Sequence, residues 1–222
     1  GNNASEVSFS RWTRSCGMLT PDPLKHHVKG LDMEISARAQ RIKPVMVMEV
    51  AKDEQAMEAK AAHTDQHMLF LNIGEPDFST TLAVKEAAAR AMANGHTGYT
   101  QALGIAPLRQ AISGWYASRF GLDIDPARIA ITAGASAALQ LACLALVNPG
   151  DEVLMPDPSY PCNRNFVAAA DGQAVLLPTT PEQRFQLSAE QIEQAWGDKT
   201  RGVLLASPSN PTGTSIARDE LK

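Results

Sequence analysis

Three stretches punctuated by glycine and proline carry the side chains with chemistry to offer. Thr132-Ala133-Gly134-Ala135-Ser136 stands just before an alanine- and leucine-rich helical segment. A helix start presents unpaired backbone N–H groups and a partial positive charge. Gly134 lets backbone approach a ligand, and Ala135 and the Ser136 hydroxyl lie in the first turn, so the stretch can cradle a phosphate. It reads equally as a plain turn with Ser136 as a helix-start residue. In Met155-Pro156-Asp157-Pro158-Ser159-Tyr160-Pro161 the prolines fix the chain path and hold Tyr160 rigidly. A fixed aromatic ring can stack on a flat heteroaromatic one, or pack on its own loop. In Ser207-Pro208-Ser209-Asn210-Pro211-Thr212-Gly213, Asn210 offers a donor and an acceptor in one side chain. A cis Pro211 would turn that side chain inward, although Asn-Pro and Thr-Gly are also ordinary turn formers.

Two further stretches are weaker singly. Leu71-Asn72-Ile73-Gly74-Glu75-Pro76-Asp77-Phe78 puts Gly74 at the end of an apolar run. Glu75 and Asp77 also suit a turn and the positive end of the next helix. Gly98-Tyr99-Thr100, with Gly104 close behind, makes a loop carrying an aromatic hydroxyl. Of the five histidines only His63 and His67 are spaced for one helical face, and no third ligand is in reach, so no metal site is expected. No G-x-S-x-G elbow and no G-x-G-x-x-G run occurs.

The elements that must position these loops follow from periodicity. Residues 35–60 read as helix interrupted only at Pro44, 67–73 as a short strand, and 81–94 as a helix closed by Gly95 in a left-handed turn. Leu108, Ile112, Trp115 and Phe120 share a helical face that ends at Gly121. Strands are then expected at 128–132, 152–155, 174–177 and 201–206, with helices at 135–147 and 162–170. Ser188 and Gln191 form a capping box for a further helix to Trp196. This alternation predicts an α/β fold, a mainly parallel sheet flanked by helices. Such sheets bind ligands beyond the carboxyl ends of their strands, where the three loops would stand. Residues 215–222 read as the first turns of a helix.

The 222 residues are 44% hydrophobic and 20% charged, enough for a sizeable core and against disorder. A net charge of −4 gives no basic excess for nucleic acid or an anionic membrane surface. Three cysteines, Cys16, Cys143 and Cys162, make no framework, so the expected setting is the reducing cytoplasm. No apolar run approaches the roughly 18–20 residues of a spanning helix. Residues 1–32 lack periodicity and a signal pattern, and Met33 resembles a protein start; they read as a non-native or disordered extension.

In order, the stretches read G-E-P-D-F, Y-T-x-x-x-G-x-x-x-L-R, T-A-G-A-S-x-A-L, D-P-S-Y-P and S-N-P-T-G. Together they resemble the class I/II aminotransferases, pyridoxal 5'-phosphate enzymes of fold type I, from about residue 35 onward. The bacterial aspartate, alanine and aromatic amino-acid branch is the nearest in pattern. The resemblance implies a fold type I large domain over 79–222, incomplete at its C-terminal side, preceded by an arm and small-domain segment over 33–78. It implies transfer of an amino group between an amino acid and a 2-oxo acid. Gly134, Ala135 and Ser136 would hold the cofactor phosphate, Tyr160 would stack on its ring, and Asn210 would bond the ring's 3-hydroxyl oxygen. Gly74 would lie by the substrate carboxylate. Tyr99 would reach the phosphate of a second subunit in a homodimer.

The departure concerns the nucleophile. In the family the Schiff-base lysine lies well beyond S-N-P-T-G, as do the acid that pairs with the ring nitrogen and the arginine for the α-carboxylate. The lysines here are 25, 29, 43, 52, 60, 85, 199 and 222, and none has the family's serine-rich context. The 222 residues are therefore expected to hold a cradle and a shelf without catalysing turnover. A C–S β-lyase or a cyclopropane-carboxylate synthase would share these motifs. So would a pyridoxal-binding transcription regulator, for which residues 1–32 are too short and irregular to supply a winged helix-turn-helix. A doubly wound sheet without its later strands would expose an edge and apolar helix faces, and is expected to aggregate or stay partly molten.

Overall fold

The computed structural model describes residues 34–61, 69–70 and 73–221. In chain order its elements are α1 (Ala37–Arg41), α2 (Met46–Ala61), α3 (Leu82–Ala93), α4 (Ala106–Phe120), a 3-10 turn (Pro126–Arg128), α5 (Ala135–Leu146), β1 (Glu152–Asp157), α6 (Cys162–Ala169), β2 (Gln173–Pro178), α7 (Ala189–Ala195) and β3 (Thr200–Val203). They fall into two compact units. One comprises the described residues up to Glu49 with those from Val147 onward, and the other runs Val50–Leu146.

The first unit is built on a parallel sheet in the order β2-β1-β3. β1 is central because its run Val153-Leu154-Met155 is apolar without alternation, which suits a strand covered on both faces. Leu154 and Met155 are completely buried, and so is Val167 on α6. Leu154 pairs with Val175 of β2 and Val203 of β3, and its carbonyl accepts the Leu204 N–H at 2.8 Å. The β1–β3 register slips between Glu152 and Val153. α7 opens with the capping box read from the sequence: Ser188 Oγ accepts from Gln191 N–H at 3.2 Å, and Gln191 Oε1 accepts from Ser188 N–H at 3.1 Å.

The break near Pro44 is present, and it separates α1 from α2. α1 is clamped to the turn after α6. Arg38 Nη2 lies 2.7 Å from Asp171 Oδ2, Arg41 binds the other carboxylate oxygen, and Asn165 Nδ2 donates to the Lys43 carbonyl at 3.2 Å. Hydrogen bonding from Arg38, with its charge and the Arg41 guanidinium, holds the Asp171 carboxyl below the usual carboxylate range. A carboxyl whose folded value is lowered contributes above its unfolded value, about 3.9, and the contribution disappears as pH falls through the folded one. The clamp should therefore hold at neutral pH and release in acid. Asp171→Asn should release it at every pH, seen as faster tryptic cleavage after Arg38 and Arg41. Equal cleavage of variant and parent at pH 7 would show that the ion pairs do not hold α1.

The second unit is helical. Thr81 precedes α3 as expected, and Gly95 follows it at φ 78°. α3 and α4 bury no residue, and Leu82, Val84, Met92, Trp115 and Phe120 are each more than half exposed. β2 and β3 are the margins of the described sheet.

Three expectations are corrected or untested. Residues 128–132 are not a strand. Asp125 Oδ1 accepts the Ala127 N–H at 2.8 Å and Pro126 presets the turn, so a 3-10 turn forms, and Ile131 N–H bonds the Leu103 carbonyl at 3.1 Å instead of a ladder. Residues 215–217 are irregular and 218–221 make a turn, with no helix, and the Ile216 N–H donates to Ser207 Oγ at 3.0 Å. The strand read over 67–73 lies mostly outside the described residues, as do His63 and His67. Among the described residues no helix is long and apolar enough to cross a membrane. Cys143 and Cys162 are free thiols, and burial pushes the Cys143 thiol up.

Candidate active-site loops

β1 and β3 are adjacent and parallel, so their carboxyl ends lie at one sheet edge. The Tyr160 loop leaves β1 there and the Asn210 loop leaves β3 there. Tyr160 is half-buried, and its carbonyl accepts the Asn163 N–H at 3.0 Å, which starts α6 directly behind the ring-bearing residue. Ser159 beside it is buried, and among the described residues its Oγ has no hydrogen-bond partner. Arg164 Nη2 lies 3.9 Å from Asp157 Oδ1, across the mouth of the same loop.

The Asn210 loop is a closed turn. Ser209 N–H donates to the Thr214 carbonyl at 2.8 Å, and Gly213 N–H donates to the Ser209 carbonyl at 2.7 Å. The Asn210-Pro211 peptide is cis. The expectation that this turns the side chain inward is not met, because Asn210 is exposed while its neighbour Ser209 is buried.

In the other unit, Gly134 stands immediately before α5 at φ 82°, a conformation an L side chain rarely adopts. A Cβ there would meet nothing within 4 Å, so the glycine serves the backbone turn and an open approach. Thr132 Oγ1 donates to the Gly134 carbonyl at 2.9 Å and fixes the turn. Ala135 and Ser136 occupy the exposed first turn of this helix of 12 residues. Main-chain N–H groups, a hydroxyl and a helix start are the donor set a phosphate takes. In this unit the Gly134 N–H is taken by the Thr132 carbonyl at 2.9 Å, so the donors that fit an anion are at Ala135 and Ser136; the other unit separately offers a half-buried aromatic at Tyr160 and an exposed amide at Asn210. Gly74 is exposed with an open Cβ position, and Tyr99 is fully exposed.

Sequence reading missed the residue that holds the Tyr99 loop in place. Arg109 donates from Nε to the Gly104 carbonyl at 3.2 Å, from Nη1 to the Pro126 carbonyl at 3.1 Å and from Nη2 to Gln101 Oε1 at 3.3 Å. Its only signal was position, the arginine that closes Y-T-x-x-x-G-x-x-x-L-R.

The model of the family "Aminotransferase class I and II" matches residues 66–222. The aspartate/prephenate aminotransferase of Nitrosomonas europaea is 35% identical over 86% of this chain and 47% of its own length. The valine–pyruvate aminotransferase of Mycobacterium tuberculosis is 39% identical over 81% of this chain and 45% of its own. Among solved structures, aspartate aminotransferase from Thermus thermophilus with maleate superposes with a TM-score of 0.76 at 35% identity, covering 84% of this chain and 48% of that one. The chain thus spans about half the length of the curated relatives it matches. With the family model covering well over half of the chain and the motif loops lying at the edge where such a sheet binds its ligand, this protein belongs to the class I and II aminotransferase family.

Proposed function

We propose that these residues are the cofactor-holding part of a pyridoxal-phosphate-dependent aminotransferase, which moves an amino group between an amino acid and a 2-oxo acid. The observation that carries the reading is the adjacency of β1 and β3, which sends the Tyr160 and Asn210 loops out at one carboxyl edge. Members of the family use pyridoxal phosphate, and when bound it supplies the electron sink that lets an amino acid lose its α-proton.

The protein's own residues bind and orient. Gly134, Ala135 and Ser136 hold the phosphate, Gly134 by shaping the turn and Ala135 and Ser136 through their N–H groups and the Ser136 hydroxyl. Tyr160 stacks on the ring and fixes its plane. Asn210 donates its amide to the ring's 3-hydroxyl oxygen and holds charge there. Gly74 leaves room for the substrate carboxylate. The exposed Tyr99 hydroxyl reaches the phosphate bound by a second subunit of a homodimer. On this reading residues 79–222 belong to the cofactor-binding domain and 33–78 to an arm and small-domain segment. The setting is cytoplasmic, with neither nucleic acid nor membrane as partner.

Two measurements test this. Titration of the 222-residue chain with pyridoxal phosphate should show weak, saturable binding. Tyr160→Ala and Asn210→Ala should each weaken it about tenfold, the size of one lost stacking or hydrogen-bonding contact. Unchanged affinity in both would overturn the residue assignment. Assays with several amino-acid donors and 2-oxoglutarate should give no turnover from these 222 residues, since none of their lysines has the Schiff-base context. A pyridoxal-dependent rate would refute that part.

A further inference from the structure

Asn210 sits on a turn closed by two backbone hydrogen bonds, one of which shares its acceptor with a distant side chain. The Thr214 carbonyl takes the Ser209 N–H at 2.8 Å and also takes Gln186 Nε2 at 2.9 Å. The same Gln186 nitrogen lies 3.1 Å from Thr214 Oγ1, which is itself 2.9 Å from Thr212 Oγ1. Gln186 is only 8% exposed, and Ser209 at the other end of the turn is 7% exposed. A buried primary amide is costly unless its donors are used, and here its donor nitrogen is spent on Thr214.

Gln186 is delivered there by an unusual backbone. The two residues before it, Arg184 and Phe185, both adopt left-handed conformations, at φ 56° and 54°. For bulky residues that is unfavourable and persists only when surroundings enforce it. Phe185 N–H bonds the Thr180 carbonyl at 2.9 Å and Arg184 N–H the Pro181 carbonyl at 2.8 Å, which winds the segment after β2 into a tight turn ending at Gln186. The winding brings the Gln186 amide to the Asn210 turn, 28 residues along the chain from Thr214.

We propose that Gln186 is a positioning residue: its buried amide pins Thr214, Thr214 pins Ser209, and Asn210 is thereby presented to the cofactor's ring in a fixed orientation. The connection to a cofactor rests on the function proposed above; the brace itself does not.

The test uses the full 222-residue chain and two variants. Gln186→Met keeps the length and removes the donor. Gln186→Glu donates only while its carboxyl is protonated and repels the Thr214 carbonyl once ionised. Amide exchange at Ser209 and Gly213, corrected for intrinsic rates, should rise tenfold or more in Gln186→Met while Leu154 and Met155 in β1 stay protected. In Gln186→Glu, protection at those two amides should be near the parent's at low pH and fall as pH rises, whereas the parent's stays flat. A role in packing alone would give no such pH dependence. Unchanged exchange at Ser209 and Gly213 in Gln186→Met, or a pH-independent Gln186→Glu, would overturn the proposal. If Gln186→Met also exposes β1, the Gln186→Glu profile decides. Pyridoxal phosphate titration of the same proteins separates the two readings. A tenfold loss of affinity that tracks loop loosening supports both. Loosening without any cofactor binding by the parent leaves the brace standing and removes the cofactor assignment.

Discussion

Gly104→Ala should destabilise the helical unit by about 3 kcal/mol, the sum of a left-handed backbone forced on a residue with a Cβ and an overpacked contact. Gly104 adopts φ 93°, and a Cβ built there would stand 2.7 Å from Ile131 Cβ, closer still to Ile131 Cγ1. Both partners are tied in place and cannot yield. Ile131 N–H bonds the Leu103 carbonyl at 3.1 Å, and the Gly104 carbonyl accepts Arg109 Nε at 3.2 Å. Separating backbone at this point also loosens the loop that carries Tyr99. Urea unfolding followed by amide exchange at Ile131 checks it: the midpoint should drop and the Ile131 amide should lose protection. Gly104→Ala with Ile131→Ala should recover part of the loss, because the second change removes the Ile131 Cγ1 collision while the contact with Cβ stays. A variant with parental midpoint would show that the close approach of Gly104 to Ile131 is not a constraint.

Leu154→Ala should cost about 3–4 kcal/mol, in the range for deleting a fully buried leucine with partial collapse of the cavity. Leu154 is completely buried, in the central strand, and pairs with both neighbouring strands. Its loss removes packing on the two strand pairs that aim the Tyr160 and Asn210 loops, so stability and cofactor affinity should fall together. Leu154→Met, close to volume-conserving, should cost under about 1.5 kcal/mol and leave affinity near the parent's. Denaturant midpoints for the two variants, with pyridoxal phosphate titration of each, check the pair. Equal midpoints would mean that the sheet is not the core of its unit.

The amino-acid sequence by itself determined the local elements and the order of the motif loops. Capping chemistry at Ser188 and Gln191, the break at Pro44, the left-handed turn at Gly95 and the apolar run of β1 are decided by residues a few positions apart. Such interactions are short-ranged and therefore legible in sequence. The loops could be named as chemistry-bearing because glycine, proline, asparagine and tyrosine signal their uses by type.

Tertiary structure alone decided three things. It put Tyr160 and Asn210 at one edge, since pairing of β1 with β3 joins segments nearly fifty residues apart. It denied a strand to residues 128–132, whose Ile131 N–H finds a loop carbonyl; a strand exists only where a ladder partner is available. And it recruited Arg109 and Gln186, polar residues with no motif of their own, because part-buried backbone carbonyls at Gly104, Pro126 and Thr214 take donors that only the folded chain brings within reach.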